Sequence, residues 1–275
     1  MARQVNAAVA QSIGDGVAVA SDGPILTVRL DRPEQLNALT PEMHRGLQAA
    51  FDRFAADPSL RVAILAAAGR AFCAGSDLKA AANRRMRSEG PLAMPAGGYG
   101  GLAQRFDLDK PVIAAVNGDA IGGGFELALA CDLIVAAEHA RFALPEPSFG
   151  MVAIGGGPHR LVRAVGAKRA MDIALTGRRI EAAEAIAMGL VNRVVPASDL
   201  MEACRTLALS LTQCGPAALA AAKQLVDTTL NQPSLEAAIG GQEVQPAMQR
   251  WRASEECMEG ARAFAEKRAP AWVIR

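Results

Sequence analysis

The chain has 275 residues, 51% of them hydrophobic, which provides core material for one large domain with an accessory segment and excludes a disordered chain. Its formal net charge of +1 gives no overall field that would recruit nucleic acid or an anionic membrane. No apolar run approaches the roughly 20 residues of a membrane-spanning helix, and the N-terminus has no secretion signal, so we expect a cytoplasmic protein.

Cysteine and nucleotide motifs give no sign of a metal or a bound cofactor. The five cysteines form no CxxC pair and are odd in number, which argues against both a disulfide framework and a zinc site. The three histidines have no ligand spacing, and the sequence contains neither GxGxxG nor GxxxxGK[ST]. We therefore expect no metal and no dinucleotide or triphosphate.

The N-terminal elements are predicted in the order tail, hairpin, helix. Residues 1–16 lack periodicity and are predicted to be a frayed tail. Strands are predicted at 17–21 and 25–30, joined by an Asp-Gly turn. Thr40 followed by Pro41 predicts a helix start, and the apolar spacing carries that helix to the next Asp-Pro pair.

A strand, turn and helix unit follows. An apolar strand is predicted at 61–66, a tight turn at Gly75, and a helix from about Leu78. The sequence of 82–106 is irregular, with a basic cluster at 84–87 and several glycines, and we predict a mobile segment that could cover a site. The basic cluster is interpreted as a solvated helix face, with an RNA contact as the alternative.

The central stretch repeats the same unit. A strand at 111–116 leads into glycines 122–124, a short buried helix at 125–131 and a second strand at 133–137. The only acid of this helix is Glu126, and an acid in so apolar a segment is costly unless it is used. Glu146 follows between two prolines, so a folded-back chain would pair two carboxylates for acid and base chemistry.

The last third of the chain is predicted to be almost entirely helical, with one strand at 191–195. Helices are predicted at 158–165, 167–175, 182–188, 199–213, 216–230, 234–250 and 254–267. The strand and helix alternation of 17–197, followed by helices in 198–275, predicts a mixed α/β (α+β) fold. The helical end can pack on partner subunits or fold back on its own core, and the sequence leaves both open.

Two glycine turns follow strands and open helices, so their backbone N–H groups lack helical acceptors. The N–H groups of Ser76 and Gly123, aimed at one point, would stabilise a developing oxyanion. The alternative is that the glycines only allow helix to pack on strand. A Ser148, His159 and Asp132 triad is weaker, because no GxSxG elbow surrounds the serine.

Six segments carry a resemblance to a known family, and they occur in the family's order along nearly the whole chain beyond the tail. They are DRPEQLNAL (31–39), AFCAGSDLK (71–79), KPVIAAVNGDAIGGGFELALACD (110–132), FALPE (142–146), ALTGRRIEAAEAIAMGLVNRVV (174–195) and AFAEKRAP (263–270). Together they resemble the enoyl-CoA hydratase/isomerase (crotonase) family. The resemblance implies a spiral of repeated ββα units and a C-terminal helical trimerisation region, as a homotrimer or dimer of trimers.

The resemblance also implies a site. Ser76 and Gly123 match the family's oxyanion-hole donors, and Glu126 and Glu146 match the two acids of its hydratases, with Glu126 activating water and Glu146 protonating the α-carbon. The family's coenzyme A contacts fall on Ala38, Ala74, Ser76, Asp77, Leu78, Lys79 and Gly123, with Phe264 and Lys267 added from a neighbouring subunit. Coenzyme A enters as part of the acyl-CoA substrate, so we expect an enoyl-CoA hydratase without a separate cofactor.

One pair of residues departs from the family's pattern. Where hydratases carry Pro-Gly this chain has Ala153 and Ile154, and the branched side chain is expected to crowd the water site. Some segments are most similar to carnitinyl-CoA dehydratases, whose cationic substrate would want an aromatic cage. The available aromatics are Tyr99, Phe106, Trp251 and Trp272. The sequence is also compatible with an isomerase, a thioester hydrolase or a non-catalytic CoA- or RNA-binding scaffold.

Overall fold

The structure is a computed structural model that describes residues 11–80, 86–87 and 93–272. Its strands are β1 (Gln11–Ser12), β2 (Val17–Asp22), β3 (Ile25–Leu30), β4 (Val62–Ala67), β5 (Ala71–Cys73), β6 (Val112–Val116), β7 (Asp119–Ile121), β8 (Leu133–Ala137), β9 (Arg141–Ala143), β10 (Ile180–Glu181) and β11 (Arg193–Val195). Its α-helices are α1 (Pro41–Ala56), α2 (Gly123–Leu129), α3 (Gly157–Val165), α4 (Ala167–Thr176), α5 (Ala182–Ala187), α6 (Leu200–Thr212), α7 (Pro216–Thr229), α8 (Leu235–Gly240), α9 (Pro246–Ala253) and α10 (Glu256–Ala265).

The strands form two sheets whose order shows the predicted spiral. The larger sheet runs β1-β2-β3-β4-β6-β8-β11 and the smaller runs β10-β9-β7-β5. From β4 to β9 each repeat places one strand in the larger sheet and the next in the smaller, and equivalent strands of successive repeats pair in parallel. The last pair differs, since β10 joins the smaller sheet antiparallel to β9 and β11 joins the larger sheet parallel to β8. A helix follows each pair at the two glycine turns, which confirms the ββα prediction for this part of the chain.

Alternation along β4 explains how the larger sheet is buried on both faces. Ala63 and Leu65 point into the core shared with the smaller sheet and α1, while Val62 and Ile64 point into a second core. The second core is closed by α6, through Leu200 and its neighbours on the same helix face. A parallel strand covered on both sides reads as a continuous apolar run, as this one does.

The helices of the C-terminal region pack on one another and on the body of the same chain. α7 contacts α9 and α10, and the Lys223 ammonium on α7 lies 2.9 Å from a carboxylate oxygen of Asp132. The indole N–H of Trp272 donates to the Gln213 carbonyl oxygen at 3.1 Å. The chain therefore folds back on its own core, and the same helices still expose Val226 and Phe264.

Three local predictions differ from the structure. The helix predicted over 234–250 is broken, because Pro246 starts a new helix and lacks the N–H that would continue the old one. Gln11 and Ser12 pair with β2 where a frayed tail was predicted, and residues 1–10 lie outside the described part. Residues 98–103, predicted to be mobile, are packed on α1.

Candidate active site

The two glycine turns predicted to form an oxyanion hole lie against each other. Gly75 and Gly122 have φ angles of +90° and +56°, a backbone region that favours glycine. A Cβ built on Gly75 would lie 3.2 Å from the Gly123 nitrogen and 3.0 Å from the Ile121 carbonyl oxygen. The first turn is held by parallel pairing with the chain before α1, where the Leu39 N–H donates to the Gly75 carbonyl oxygen at 2.8 Å.

The amide groups of Ser76 and Gly123 are available to a ligand. Neither N–H has a hydrogen-bond acceptor among the described residues, whereas the flanking amides of Asp77 and Gly122 are bonded to Leu39 and Ala143. The alternative role, in which glycine only lets the helix pack closely on a strand, applies to Gly124 of the same turn. A Cβ on Gly124 would lie 2.1 Å from the Cys73 carbonyl oxygen. The turn therefore combines a packing glycine with an unbonded amide.

Glu126 is buried at 2% exposure beside this turn. The Gly157 N–H donates a 2.8 Å hydrogen bond to Glu126 Oε1. Burial raises the pKa of Glu126, the carboxylate of Glu146 raises it further, and the Gly157 hydrogen bond and the Arg160 charge oppose the rise. The pKa of Glu126 is therefore above that of an exposed glutamate, although Gly157 and Arg160 stabilise the charged form.

Glu146 faces the same turn from the other side. It opens a short 3-10 helix, Glu146–Phe149, and its Oε1 lies 2.7 Å from where a Cβ of Gly122 would be. Its Oε2 is buried and has no hydrogen-bond partner within the described part of the chain. Burial raises the pKa of Glu146, and a hydrogen bond from its own backbone N–H opposes the rise. The two acids therefore lie close enough for the charge of one to act on the other, in different surroundings.

Tyr99 is a site residue that the sequence did not single out beyond the aromatic cage. Its hydroxyl lies 3.0 Å from Ser76 Oγ, and the side chain is 6% exposed. Its ring packs edge-on against His44 at a centroid distance of 4.8 Å, and His44 Nδ1 accepts a hydrogen bond from the Gly100 N–H. The sequence feature that could have indicated this role is a single tyrosine within a run of four glycines.

The residues matched to coenzyme A contacts fall in two groups. Ala38 lies beside residues 74–77, which pair with the segment before α1. Arg32 joins the two segments, because it donates both to the Ala38 carbonyl oxygen and to Asp77 Oδ2. Leu78 and Lys79 continue this edge and are exposed. The other two residues, Phe264 and Lys267, are exposed on and after α10, which packs on α7 and α9.

Further predicted residues are not assembled at the site. The Ile154 side chain is 80% exposed, and Gly155 and Gly157 are the residues found against the Glu126 side chain. The predicted crowding of the water site stays a prediction. Phe106 is 86% exposed and Trp251 stacks on Arg252, so of the four aromatics considered for a cage only Tyr99 lies beside the two acids.

The triad interpretation also fails on geometry. Ser148 donates to the Pro145 carbonyl oxygen at 2.7 Å, Asp132 binds Val112 and Lys223, and His159 is exposed. In residues 11–80, 86–87 and 93–272 no cluster of side chains could hold a metal ion. None of the helices in these ranges has the length and apolar character needed to cross a membrane.

Comparisons with known proteins agree with the geometry. A family model described as enoyl-CoA hydratase/isomerase matches residues 21–274. A carnitinyl-CoA dehydratase from Salmonella typhi is 47% identical over 257 residues, covering 91% of this chain and 95% of that protein. A crystal structure of an enoyl-CoA hydratase from Mycobacterium tuberculosis superposes with a TM-score of 0.84 at 38% identity, covering 93% of this chain and 97% of that one. An enoyl-CoA hydratase from Mycobacterium marinum matches with the same TM-score and coverage at 40% identity.

Proposed function

Since the chain belongs to the enoyl-CoA hydratase/isomerase (crotonase) family, we propose that it adds water across the double bond of a 2-enoyl-CoA thioester and removes it in the reverse direction. The observation that carries the proposal is the pairing of Glu126 and Glu146 beside two unbonded amides. Addition of water needs one group to take a proton from water and another to give one to carbon.

The surroundings of the two acids support separate roles. Glu126 accepts a hydrogen bond from Gly157 and lies near Arg160, which favours its charged form as the base that activates water. Glu146 Oε2 is buried and has no partner among the residues that the structure describes, which favours the protonated form as the acid that supplies the α-carbon proton. Burial raises the pKa of both groups toward the range in which general acids and bases work.

The thioester oxygen would be held by the N–H groups of Ser76 and Gly123. Hydration passes through an enolate, in which negative charge develops on that oxygen, so fixed donors stabilise it most in the transition state. The coenzyme A moiety would run along Ala38, Ala74 and the segment 76–79. A neighbouring subunit would add Phe264 and Lys267, both exposed in the single chain.

Assembly as a homotrimer or a dimer of trimers is part of the proposal. The C-terminal helices leave Val226, Leu230, Ile239 and Phe264 more than half exposed, and such apolar side chains suit a subunit interface. Sedimentation equilibrium tests this: a mass of three or six chains is expected, and a monomer at micromolar concentration contradicts it.

Carnitinyl-CoA is the second candidate substrate, favoured by the 47% identity with the Salmonella typhi dehydratase. The reaction would be the same, with a quaternary ammonium group on the acyl chain. The aromatic residues considered for a cage give no support, because only Tyr99 is at the site. Comparing kcat/KM for crotonyl-CoA and for the dehydration product of carnitinyl-CoA decides between a general and a cationic acyl specificity.

Labelled water separates hydration from the competing chemistries. In H2¹⁸O, a hydratase puts ¹⁸O on the β-carbon, a thioester hydrolase puts it on the released carboxylate, and an isomerase puts it on neither. We expect β-carbon label by mass spectrometry with coenzyme A still attached. No turnover on any thioester, with retention of RNA, would instead support a scaffold; of the basic cluster proposed for that role, Arg84 and Arg85 lie outside the described residues.

A further inference from the structure

Two hydroxyl groups meet at the predicted oxyanion hole, and one of their protons is unused. Tyr99 Oη and Ser76 Oγ lie 3.0 Å apart, and either can donate to the other. Their mutual hydrogen bond uses one proton of the two. Neither oxygen has another hydrogen-bond partner among the described residues, so the second proton is free for a ligand.

The Tyr99 hydroxyl also lies directly over the Gly123 backbone. A Cβ built on Gly123 would come within 2.0 Å of Tyr99 Oη. Because a Cβ lies about 2.5 Å from its own backbone nitrogen, the hydroxyl is within about 4.5 Å of the Gly123 nitrogen. The Gly123 amide and the hydroxyl are therefore close enough for one oxygen that lies between them to accept from both.

Packing fixes the tyrosine in this place. The ring is held edge-on by His44, and residues 98–103 are anchored to α1 through the Gly97 N–H to Gln48 and the Gly100 N–H to His44 hydrogen bonds. Burial and both nearby glutamates raise the pKa of Tyr99, so the hydroxyl keeps its proton. A donor that needs no reorganisation is the kind that stabilises developing charge best.

We propose that the Tyr99 hydroxyl is a third donor to the thioester oxygen, beside the N–H groups of Ser76 and Gly123, with Ser76 Oγ as its positioning partner. This inference rests on the proposed function, because it assigns the donor to an acyl-CoA thioester. Tyr99 would then contact the reacting carbonyl group, and the Ser76 hydroxyl would donate to Tyr99 Oη, because the single tyrosine proton is used on the thioester oxygen.

Acetoacetyl-CoA tests this without turnover, because its enolate absorbs in the near ultraviolet and carries the charge that the hole would stabilise. We expect wild type to bind the enolate and Tyr99→Phe to bind it about 100-fold more weakly, the lower end of the loss in rate on removal of one oxyanion-hole donor. Ser76→Ala, which keeps the amide, should fall between them. Ser210→Ala, on the surface of α6, should match wild type.

A spectroscopic readout needs no variant at all. Tyr99 is the only tyrosine, so protein labelled with ¹³C at the tyrosine Cζ gives a single NMR signal from this ring. We expect the signal to move with acetoacetyl-CoA and to stay in place with coenzyme A alone. A signal unmoved by the thioester, or Tyr99→Phe with wild-type enolate affinity, overturns the inference, as does a wild type that forms no enolate.

Hydration assays on the same proteins separate this inference from the proposed function. If wild type hydrates no enoyl-CoA but binds the enolate, and Tyr99→Phe does not, the third donor stands and the proposed function fails. If wild type hydrates and Tyr99→Phe changes neither rate nor enolate binding, the proposed function stands and the third donor fails.

Discussion

The Gly157 N–H donates to Glu126 Oε1 at 2.8 Å, which ties a buried carboxyl on α2 to the first residue of α3. Glycine is required here by space, since any residue except proline could supply the N–H. A Cβ on Gly157 would lie 2.7 Å from Glu126 Cγ and 3.0 Å from its Oε1. The direction in which Glu126 presents its second oxygen is therefore set by a segment 31 residues further along the chain.

Gly157→Ala is expected to displace Glu126 and lower hydration of crotonyl-CoA by at least about 10-fold, since a misplaced base loses its alignment with water. Gly240→Ala is the matched control, because a Cβ there meets nothing within 4 Å. It should retain the wild-type rate. Equal rates for both variants, measured as loss of enoyl-thioester absorbance, would show that the Gly157 contact does not position the acid.

Glu146→Gln should make the protein more stable at neutral pH. Burial raises the pKa of Glu146 above the usual value, so the folded chain binds more protons than the unfolded chain, and stability falls as the pH rises through the folded pKa. Glutamine carries no charge and escapes this loss, on the order of 1 kcal/mol for an unpartnered buried oxygen. Urea unfolding at pH 7 should show a higher free energy of unfolding for the variant. Below about pH 4 this difference should vanish, because Glu146 is then protonated in both the folded and the unfolded wild type.

The control for that measurement is Glu138→Gln, at an exposed acid that follows β8. It should leave the unfolding curve unchanged at both pH values. A Glu146→Gln variant that is less stable than wild type at pH 7 would mean that the Oε2 atom has a stabilising partner.

His44 should make the free energy of unfolding depend on pH in the mildly acidic range. Burial lowers its pKa from 6.5 to about 4. The unfolded chain therefore takes up the proton first, and stability present above about pH 6.5 is lost as the pH falls toward 4, by roughly 3 kcal/mol in total. His44→Asn, which can still accept from Gly100, should flatten the curve of unfolding free energy between pH 5 and pH 7.

His139→Asn is the comparison, because His139 is exposed. This variant should keep the wild-type loss of stability in the same pH interval. If His44→Asn keeps that loss too, another group carries the proton uptake, and the packing of Tyr99 on a neutral histidine needs a different account.

Ile154→Gly should leave kcat/KM for crotonyl-CoA within about twofold, the range expected for surface substitutions. The reason is that the side chain is 80% exposed, as at a surface position. A rise of 10-fold or more would show instead that the side chain enters the cleft when substrate binds.

Much of the fold was accessible from the sequence because its repeats have strong local signals. Apolar runs marked the longer strands of the spiral, and glycines marked its two turns. Thr40 with Pro41 marked the start of α1, where Thr40 Oγ1 accepts from the Met43 N–H at 3.2 Å. The short strands β5, β7 and β9 were missed, because three-residue strands have too little periodicity to be recognised.

The sequence predicted candidate residues for the site but not the contacts between them. Glu126 stood out as a lone acid in an apolar helix, whereas the role of Gly157 depends on a fold-back that local pattern does not contain. Tyr99 was placed in a mobile segment, because glycine runs indicate loops. The structure uses those glycines for close approach to α1: a Cβ on Gly101 would lie 2.4 Å from the Gln48 nitrogen.

The measurement that tests the two-carboxylate account most directly is the hydration rate of crotonyl-CoA by wild type, Glu126→Gln, Glu146→Gln and Glu138→Gln. Wild type and Glu138→Gln should hydrate at the same rate, and each of the other two should fall by about 100-fold or more. Retention of the wild-type rate by either active-site variant, while the labelled-water product is unchanged, would contradict the account.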